Sequence, residues 1–274
     1  MKPLTSGKSL LLMAAALGMA FVSCKKERDN DYSAANDNAL AERSFSDIES
    51  ISDQAADGNL TSYKDGLDQS IMGKCATITH DTTTTPRSLV VDFGTVNCLC
   101  NDGRNRRGKI RVSYNGMYRD PGSTHSITPE DYYVNDYKIE GLKSVTNMGY
   151  NSSNHLYYNI TVDGTVTAPD GKSATWKSDR VREWVEGEST LINWLDDVYL
   201  ITGTASGTGA NGNGYNAAVK TPLRVELSCR WITSGSFELT PDGKDPITGD
   251  YGNGNCDNQA TVVFRGKTYN VTLK

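Results

Sequence analysis

The chain has 274 residues, with 33 acidic side chains against 28 basic ones and three histidines. That length allows one large domain or two small ones, and the acidic balance argues against a nucleic-acid partner. Tyr outnumbers Phe by 14 to 5, and Tyr, Thr, Val and Ile fill the periodic segments, a composition that favours strands.

Lys2 and Lys8 lead into an uncharged apolar run over residues 10–22, which stops at Ser23 and Cys24 before the charged Lys25-Lys26-Glu27-Arg28-Asp29. The run is too short to remain in a bilayer as a spanning helix. Its end, Phe21-Val22-Ser23-Cys24, resembles the last four residues of a bacterial lipoprotein signal. The resemblance implies cleavage before Cys24, palmitate-type acyl chains on its thiol and amine, and attachment to the outer membrane on its periplasmic or cell-surface side. Each buried acyl methylene contributes about 0.8 kcal/mol and stable anchoring takes more than one chain, which a di- or triacylated cysteine supplies. Residues 1–23 hold two Lys and no acid, so the mature chain has 26 basic against 33 acidic groups, a net charge of −7. Such a body is repelled by anionic lipid, so the anchor is its expected membrane contact.

Residues 24–38 are charged and Asn-rich and read as a disordered tether. Glu27, Asp29 and Asp31 loosely resemble the acidic runs that follow the acylated cysteine in surface lipoproteins of the Bacteroidota. Residues 39–56 predict one helix, because Ala41, Phe45, Ile48 and Ala55 recur at spacings of three, four and seven. Glu42, Asp47, Glu49 and Asp53 lie largely off that stripe, and Asp57-Gly58 ends it. So narrow a stripe suits a helix that packs on something rather than a core helix. Residues 59–73 show no period and read as loop.

From Cys75 onward apolar residues alternate with polar ones. Leu89, Val91 and Phe93 do so, as do Ile110, Val112 and Tyr114, and Leu156, Tyr158, Ile160 and Val162. The pattern returns at Leu223, Val225, Leu227 and Cys229, and at Tyr269, Val271 and Leu273. Period two means strands with one dry and one wet face. Asp163-Gly164, Asp170-Gly171 and Asp242-Gly243 carry hairpin chemistry. No long helical pattern intervenes, which excludes parallel βαβ units. The expected fold is all-β, an antiparallel sandwich or a long curled meander, preceded by one short helix. The expected order is signal peptide 1–23, tether 24–38, helix 39–58 and one β domain 59–274. Gly108-Lys109-Ile110, Ser178-Asp179-Arg180, the segment 201–205 and Cys256-Asp257-Asn258 resemble segments of uncharacterised Bacteroidota lipoproteins. That resemblance implies one large all-β domain and no activity.

Apart from Cys24 the cysteines are Cys75, Cys98, Cys100, Cys229 and Cys256. An exported chain can keep disulfides, and an odd count leaves one thiol over. The sensible pairings are Cys75 with Cys98 or Cys100, and Cys229 with Cys256. Cys229 ends the apolar face of its strand, so its thiol should point into the core. Zinc is disfavoured, since there is no Cys-x-x-Cys pair and only His80 stands near these cysteines.

Several stretches invite a chemical reading. Residues 207–212 match the letters of a dinucleotide fingerprint, but no helix follows to receive a pyrophosphate, so they read as a hairpin loop. Residues 250–257 offer alternating oxygen ligands, but Thr261 stands where a calcium loop needs its bidentate acid, so they read as a turn tied down by Cys256. Neither metal nor cofactor is expected. The basic cluster 102–111 reads as a solvated turn whose strand residues meet cross-strand acids, with Glu183, Glu186 and Glu188 as available partners.

Trp176, Trp184, Trp194 and Trp231 accompany Glu183, Glu186, Glu188, Asp196 and Asp197. Flat rings beside carboxylates suit sugars, which makes Trp176, Trp184 and Trp194 candidate glycan contacts, and two acids at the right separation can hydrolyse a glycosidic bond. Packing is the commoner use of Trp in a Tyr-rich sheet. On that reading Ser178, Arg180, Arg182 and Trp184 share one strand face as a cation–aromatic ladder. No Gly-x-Ser-x-Gly or His-Glu-x-x-His is present, and His80, His125 and His155 stand in unrelated contexts. The expected function is a non-enzymatic, membrane-tethered binding or structural module with a glycan or an envelope protein as partner. The alternative is a carbohydrate-active enzyme, which requires those five acids to converge.

Overall fold

The computed structural model describes residues 33–56, 71–190, 194–229 and 231–273; Cys24 and the signal and tether segments through residue 32 lie outside them. The alternating segments form one antiparallel sheet of fourteen strands that does not close on itself. The strands are β1 (Thr77–Asp81), β2 (Arg87–Asp92), β3 (Cys98–Leu99), β4 (Asn105–Tyr114), β5 (Thr124–Val134), β6 (Tyr137–Tyr150) and β7 (Leu156–Thr167). There follow β8 (Ser173–Glu186), β9 (Val198–Thr208), β10 (Gly214–Glu226), β11 (Ile232–Pro241), β12 (Ile247–Asn253), β13 (Gln259–Phe264) and β14 (Lys267–Thr272). Each pairs with its sequence neighbour, except that β2 pairs with β4 while the short β3 adds to β4. This is the meander of the two expected architectures.

The period-two residues of β2, β4 and β7 point where their pattern says. Leu89, Val91, Ile110, Val112, Leu156, Tyr158, Ile160 and Val162 lie on one buried face, called the inner face below. The Asp170-Gly171 turn joins β7 to β8, Asp242-Gly243 joins β11 to β12, and residues 209–213 join β9 to β10. Asp163-Gly164 is not a hairpin: it lies within β7, paired with Leu142 and Gly141 of β6. The reason is long-range. Phe45 of the helix lies directly on Gly164, and any Cβ there would collide with its ring. A glycine in a strand interior marks such a close approach as readily as a turn.

The helix α1 spans Ser33–Ala56 and begins inside the stretch expected to be tether. Tertiary contacts hold its first turns: Trp176 Nε1 donates to Asn38 at 2.9 Å, and Ala210 N donates to Asp37 at 2.8 Å. It is also a core helix, contrary to the narrow-stripe reading. Ala41, Phe45, Ile48, Ile51 and Ala55 are at most 1% exposed, and Phe45 stacks on Trp176 with ring centroids 5.8 Å apart. Asp47 and Glu49, which belong off the stripe, are buried too.

Their partners are cations on inward strand positions. Arg106 of β4 donates to Asp47 at 2.8 Å and to Asp102 at 2.6 Å, with Arg104 joining Asp47 at 2.9 Å. Glu49 meets Lys143 of β6 at 2.5 Å and Arg182 of β8 at 2.9 Å, and Glu42 meets Arg180 of β8 at 2.9 Å. Asp47 and Glu49 are two residues apart, yet they reach strands four positions apart in the sheet. That is about 19 Å along a flat surface at ordinary strand spacing, so the sheet must curl around α1 for both contacts to form.

Cys75 pairs with Cys98, and Cys229 with Cys256. Among the described cysteines Cys100 is the unpaired one, and it is buried, which pushes its pKa up. Cys229 does not point into the core. β10 ends at Glu226, and Cys229 sits half-buried in the turn beyond it, where the bridge to Cys256 ties the turn down. No helix among the described residues is long and apolar enough to cross a membrane.

Two outcomes follow from this packing. Gly164→Val should cost about 2 kcal/mol or more through overpacking and Phe45→Ala about 3–5 kcal/mol. In chemical denaturation the double variant should fall short of the sum by about 1 kcal/mol or more, because removing the ring vacates the space; strict additivity would refute the contact. Non-reducing peptide mapping should return linked Cys75–Cys98 and Cys229–Cys256 peptides, with Cys100 alkylating only in denaturant. Recovery of a Cys75–Cys100 link would overturn the assignment.

Candidate functional site

Even-numbered residues of β8 face inward. Ser178, Arg180, Arg182 and Trp184 therefore do share one face, as the ladder reading expects. They end in a dense group of aromatic and charged side chains. The Arg182 guanidinium lies 4.4 Å from the Tyr199 ring centre, 5.4 Å from that of Tyr118 and 5.6 Å from that of Tyr158. It donates to Tyr118 Oη. Tyr118 stacks on Tyr158 with centroids 4.5 Å apart, and its edge meets His125. Register brings Tyr199 beside Trp184, at 5.4 Å between ring centres. Arg119 lies over the Trp184 ring at 4.2 Å and donates to the Glu188 carbonyl at 2.6 Å.

The electrostatics of this group are self-contained. Burial alone would raise the Glu49 carboxyl, but the adjacent Arg182 and Lys143 charges outweigh it and hold the group below its usual range. Burial works against the Arg182 charge, and Glu49 overrides that in turn, leaving its pKa raised. Burial pushes the Tyr118, Tyr158 and Tyr199 hydroxyls up, so all three stay neutral. The arrangement is a cation-binding aromatic box whose cation is the protein's own Arg182.

Asp197 is the exception. It caps the box where the 3₁₀ turn Trp194–Asp196 leads into β9, and it is 5% exposed. Tyr199 Oη donates to it at 3.3 Å. Burial pushes its carboxyl up to about 6, although Tyr199 and Arg119 pull the other way.

The remaining acids of the Trp-flanked group do not join it. Glu183 alternates with Trp184 onto the opposite face, where His155 and Asn151 each contact it at 2.8 Å. Those bonds hold its carboxyl below the usual value. Glu186 pairs with Arg224 at 2.8 Å, Glu188 accepts from Tyr150 Oη at 2.6 Å, and Asp196 accepts from Thr190 at 2.8 Å. Each of the five acids thus has its own hydrogen-bond or ion-pair partner.

The aromatic candidates also move. Trp176 and Trp184 are 2% and 3% exposed, so neither offers a ring face to a sugar, and the glycan-contact reading of both is corrected. The side chain of Trp194 lies outside the described residues. Trp231 follows the Cys229–Cys256 bridge, its N–H on the Cys229 sulfur at 3.4 Å. The basic cluster is likewise revised. Lys109 pairs across the β2–β4 ladder with Asp92 at 2.8 Å, and Arg111 pairs with Glu130, as cross-strand logic expects. The acids that meet the cluster are Asp47, Asp92, Asp102, Glu130 and Asp136, not Glu183, Glu186 or Glu188. Arg106 is fully buried rather than solvated. Asp250 and Asp257 accept the amides of Gly252 and Gln259, each at 2.8 Å, as turn acids do.

No known protein family, curated protein or solved structure matches this chain. The site is therefore read on its own chemistry.

The Asp197 environment has a measurable consequence. Its carboxyl binds a proton more tightly folded than unfolded. Its stabilising contribution is therefore complete below the ordinary Asp pKa and is lost as pH rises through about 6. The loss amounts to up to about 3 kcal/mol. Relative to the wild type, Asp197→Asn should gain stability progressively between about pH 4 and 7 in denaturant titrations. Parallel stability curves for the two proteins would show that Asp197 titrates normally.

Proposed function

We propose that the chain is a lipoprotein of the bacterial outer membrane, anchored through acyl chains on Cys24, on the periplasmic or cell-surface side. We propose further that its β body is a non-enzymatic binding or structural module, with a glycan or an envelope protein as partner. The anchor rests on the apolar run of residues 10–22 ending at Ser23-Cys24 behind two lysines. The two disulfides accord with an oxidising compartment.

One observation carries the non-catalytic part. The groups that could do chemistry are engaged in holding the fold: Arg106, Lys143, Arg180 and Arg182 bind acids of α1. Trp176 and Trp184 pack in the core, and the Trp-flanked acids are separately partnered. A glycosidase needs two carboxyls facing one sugar, about 5–5.5 Å apart to retain or 6.5–9.5 Å apart to invert configuration. The engagement of Glu183, Glu186, Glu188, Asp196 and Asp197 with separate partners supports a module that binds without turnover.

Cys24→Ala should abolish incorporation of a labelled fatty acid and release the protein from the membrane fraction. Labelling that persists in this variant would sink the anchored reading.

A further inference from the structure

With α1 packed on the inner side of β2, β4, β5, β7 and β8, the outer face is the side of these strands open to a ligand, and one part of it is recessed. A depression of about 560 Å³ lies across β8, β9, β10 and β11, within the ordinary size range of small-ligand sites. Two register rows cross its floor. In the first, Lys177, Ser206, Asn216 and Thr240 stand side by side on successive strands. In the second, Asp179, Thr204, Ala218 and Glu238 do the same. The depression lies beside a line of backbone irregularities. Gly203 of β9 has φ +119°, the β9–β10 register shifts between Ala218 and Leu223, and Gly235 of β11 has φ +106°. Bulges and strand glycines of this kind bend a sheet and re-aim its side chains.

The chemistry of the floor is specific. Asp179, Thr204, Ser206, Asn216 and Thr240 make no side-chain hydrogen bond to any described residue. They present hydroxyls, an amide and a carboxylate in a grid. The flanking charges are neutralised within the protein, Lys177 by Asp163 at 2.9 Å and Glu238 by Lys220 at 2.9 Å. The grid therefore has donors and acceptors in quantity but little net charge, which disfavours a phosphate or a nucleic acid. It has no large apolar side chain, which disfavours a lipid or an apolar protein anchor. Neighbouring strands stand about 4.7–4.9 Å apart, and one sugar ring of an extended glycan advances by close to that distance. Ala218, the small residue of its row, leaves room for the ring.

We infer that this outer groove binds a neutral oligosaccharide, its sugars laid across the strands from β8 to β11. The inference rests on the proposed binding-module function and gives it a ligand class and a place. Without an aromatic platform the affinity should be modest, with Kd about 0.1–1 mM.

The full chain, captured through its N-terminal segment, is titrated in surface plasmon resonance with maltohexaose, cellohexaose, xylohexaose, mannohexaose and chitohexaose. Saturable binding of at least one is expected. Ala218→Trp, which fills the groove, and Asn216→Ala should each weaken it at least about tenfold, with thermal unfolding unchanged because both positions face outward. Lys267→Ala on β14 should leave it unaltered. Failure of all five sugars to bind overturns the groove, as does binding that survives Ala218→Trp; either result leaves the anchored-module reading standing. A hexasaccharide that binds and is cleaved, seen by chromatography, would instead overturn the non-catalytic reading.

Discussion

Buried ion pairs between α1 and the inner face of the sheet set the geometry of the whole protein. Taking a charge out of water costs several kcal/mol, and a buried charge deprived of its partner destabilises by about 3–5 kcal/mol. Arg106, fully buried, sits against Asp47 and Asp102, while Glu49 is shared by Lys143 and Arg182. The buried surface of α1 is otherwise poor in large side chains: Ala34, Ala41, Ser44, Ser52 and Ala55 alternate with Phe45, Ile48 and Ile51, and Leu40 packs at its edge. Such a surface would let a helix slide or rotate. The acids remove that freedom, because each is matched to a cation on a different strand or at a different level of the same strand.

Seating the helix also sets the curvature of the sheet. An open meander of this size has no partner sheet, so something must cover its inner face. α1 fills that place, and glycine appears in β7 where Phe45 touches the sheet backbone. Strands β2, β4, β5, β7 and β8 pack against it, and Arg182 reaches Glu49 of the helix from the aromatic box. A helix that the sequence describes as peripheral thus becomes the object around which the strands wrap.

The strands were legible because period two depends on each residue's own polarity, and burial of one face enforces it. Leu89, Ile110, Tyr158 and Leu223 could be placed without knowing their neighbours. What could not be read locally was produced at long range. Asp163-Gly164 has the same letters as a true turn, and only Phe45, more than a hundred residues away, makes it a strand. Glu42, Asp47 and Glu49 look like a solvated helix face because their partners come from three distant strands. One signal was available: Arg106, Lys143, Arg180 and Arg182 stand on the dry parity of strands, and cations there demand buried acids. The acid-rich helix α1 was the natural source. The candidate site failed for a related reason. Trp beside acids is the composition of a sugar site, but alternation along β8 sends Trp184 and Glu183 to opposite faces.

That division of faces bears on function as well as fold. On the dry inner side of the sheet, aromatic residues and guanidinium groups are drawn inward to pack and to neutralise α1. On the proposed binding-module reading, recognition falls to what remains outside: Thr, Ser, Asn and a few charges, arranged by strand register rather than by loops. Surfaces of this kind bind through many weak, evenly spaced hydrogen bonds instead of a few aromatic anchors, so their selectivity depends on spacing more than on any one side chain. Tethering compensates for low intrinsic affinity, because confining a module near a polymeric or repeated ligand raises the effective concentration of each further contact. A shallow polar groove on an anchored protein is thus a workable design, whereas the same groove on a freely diffusing protein would capture little.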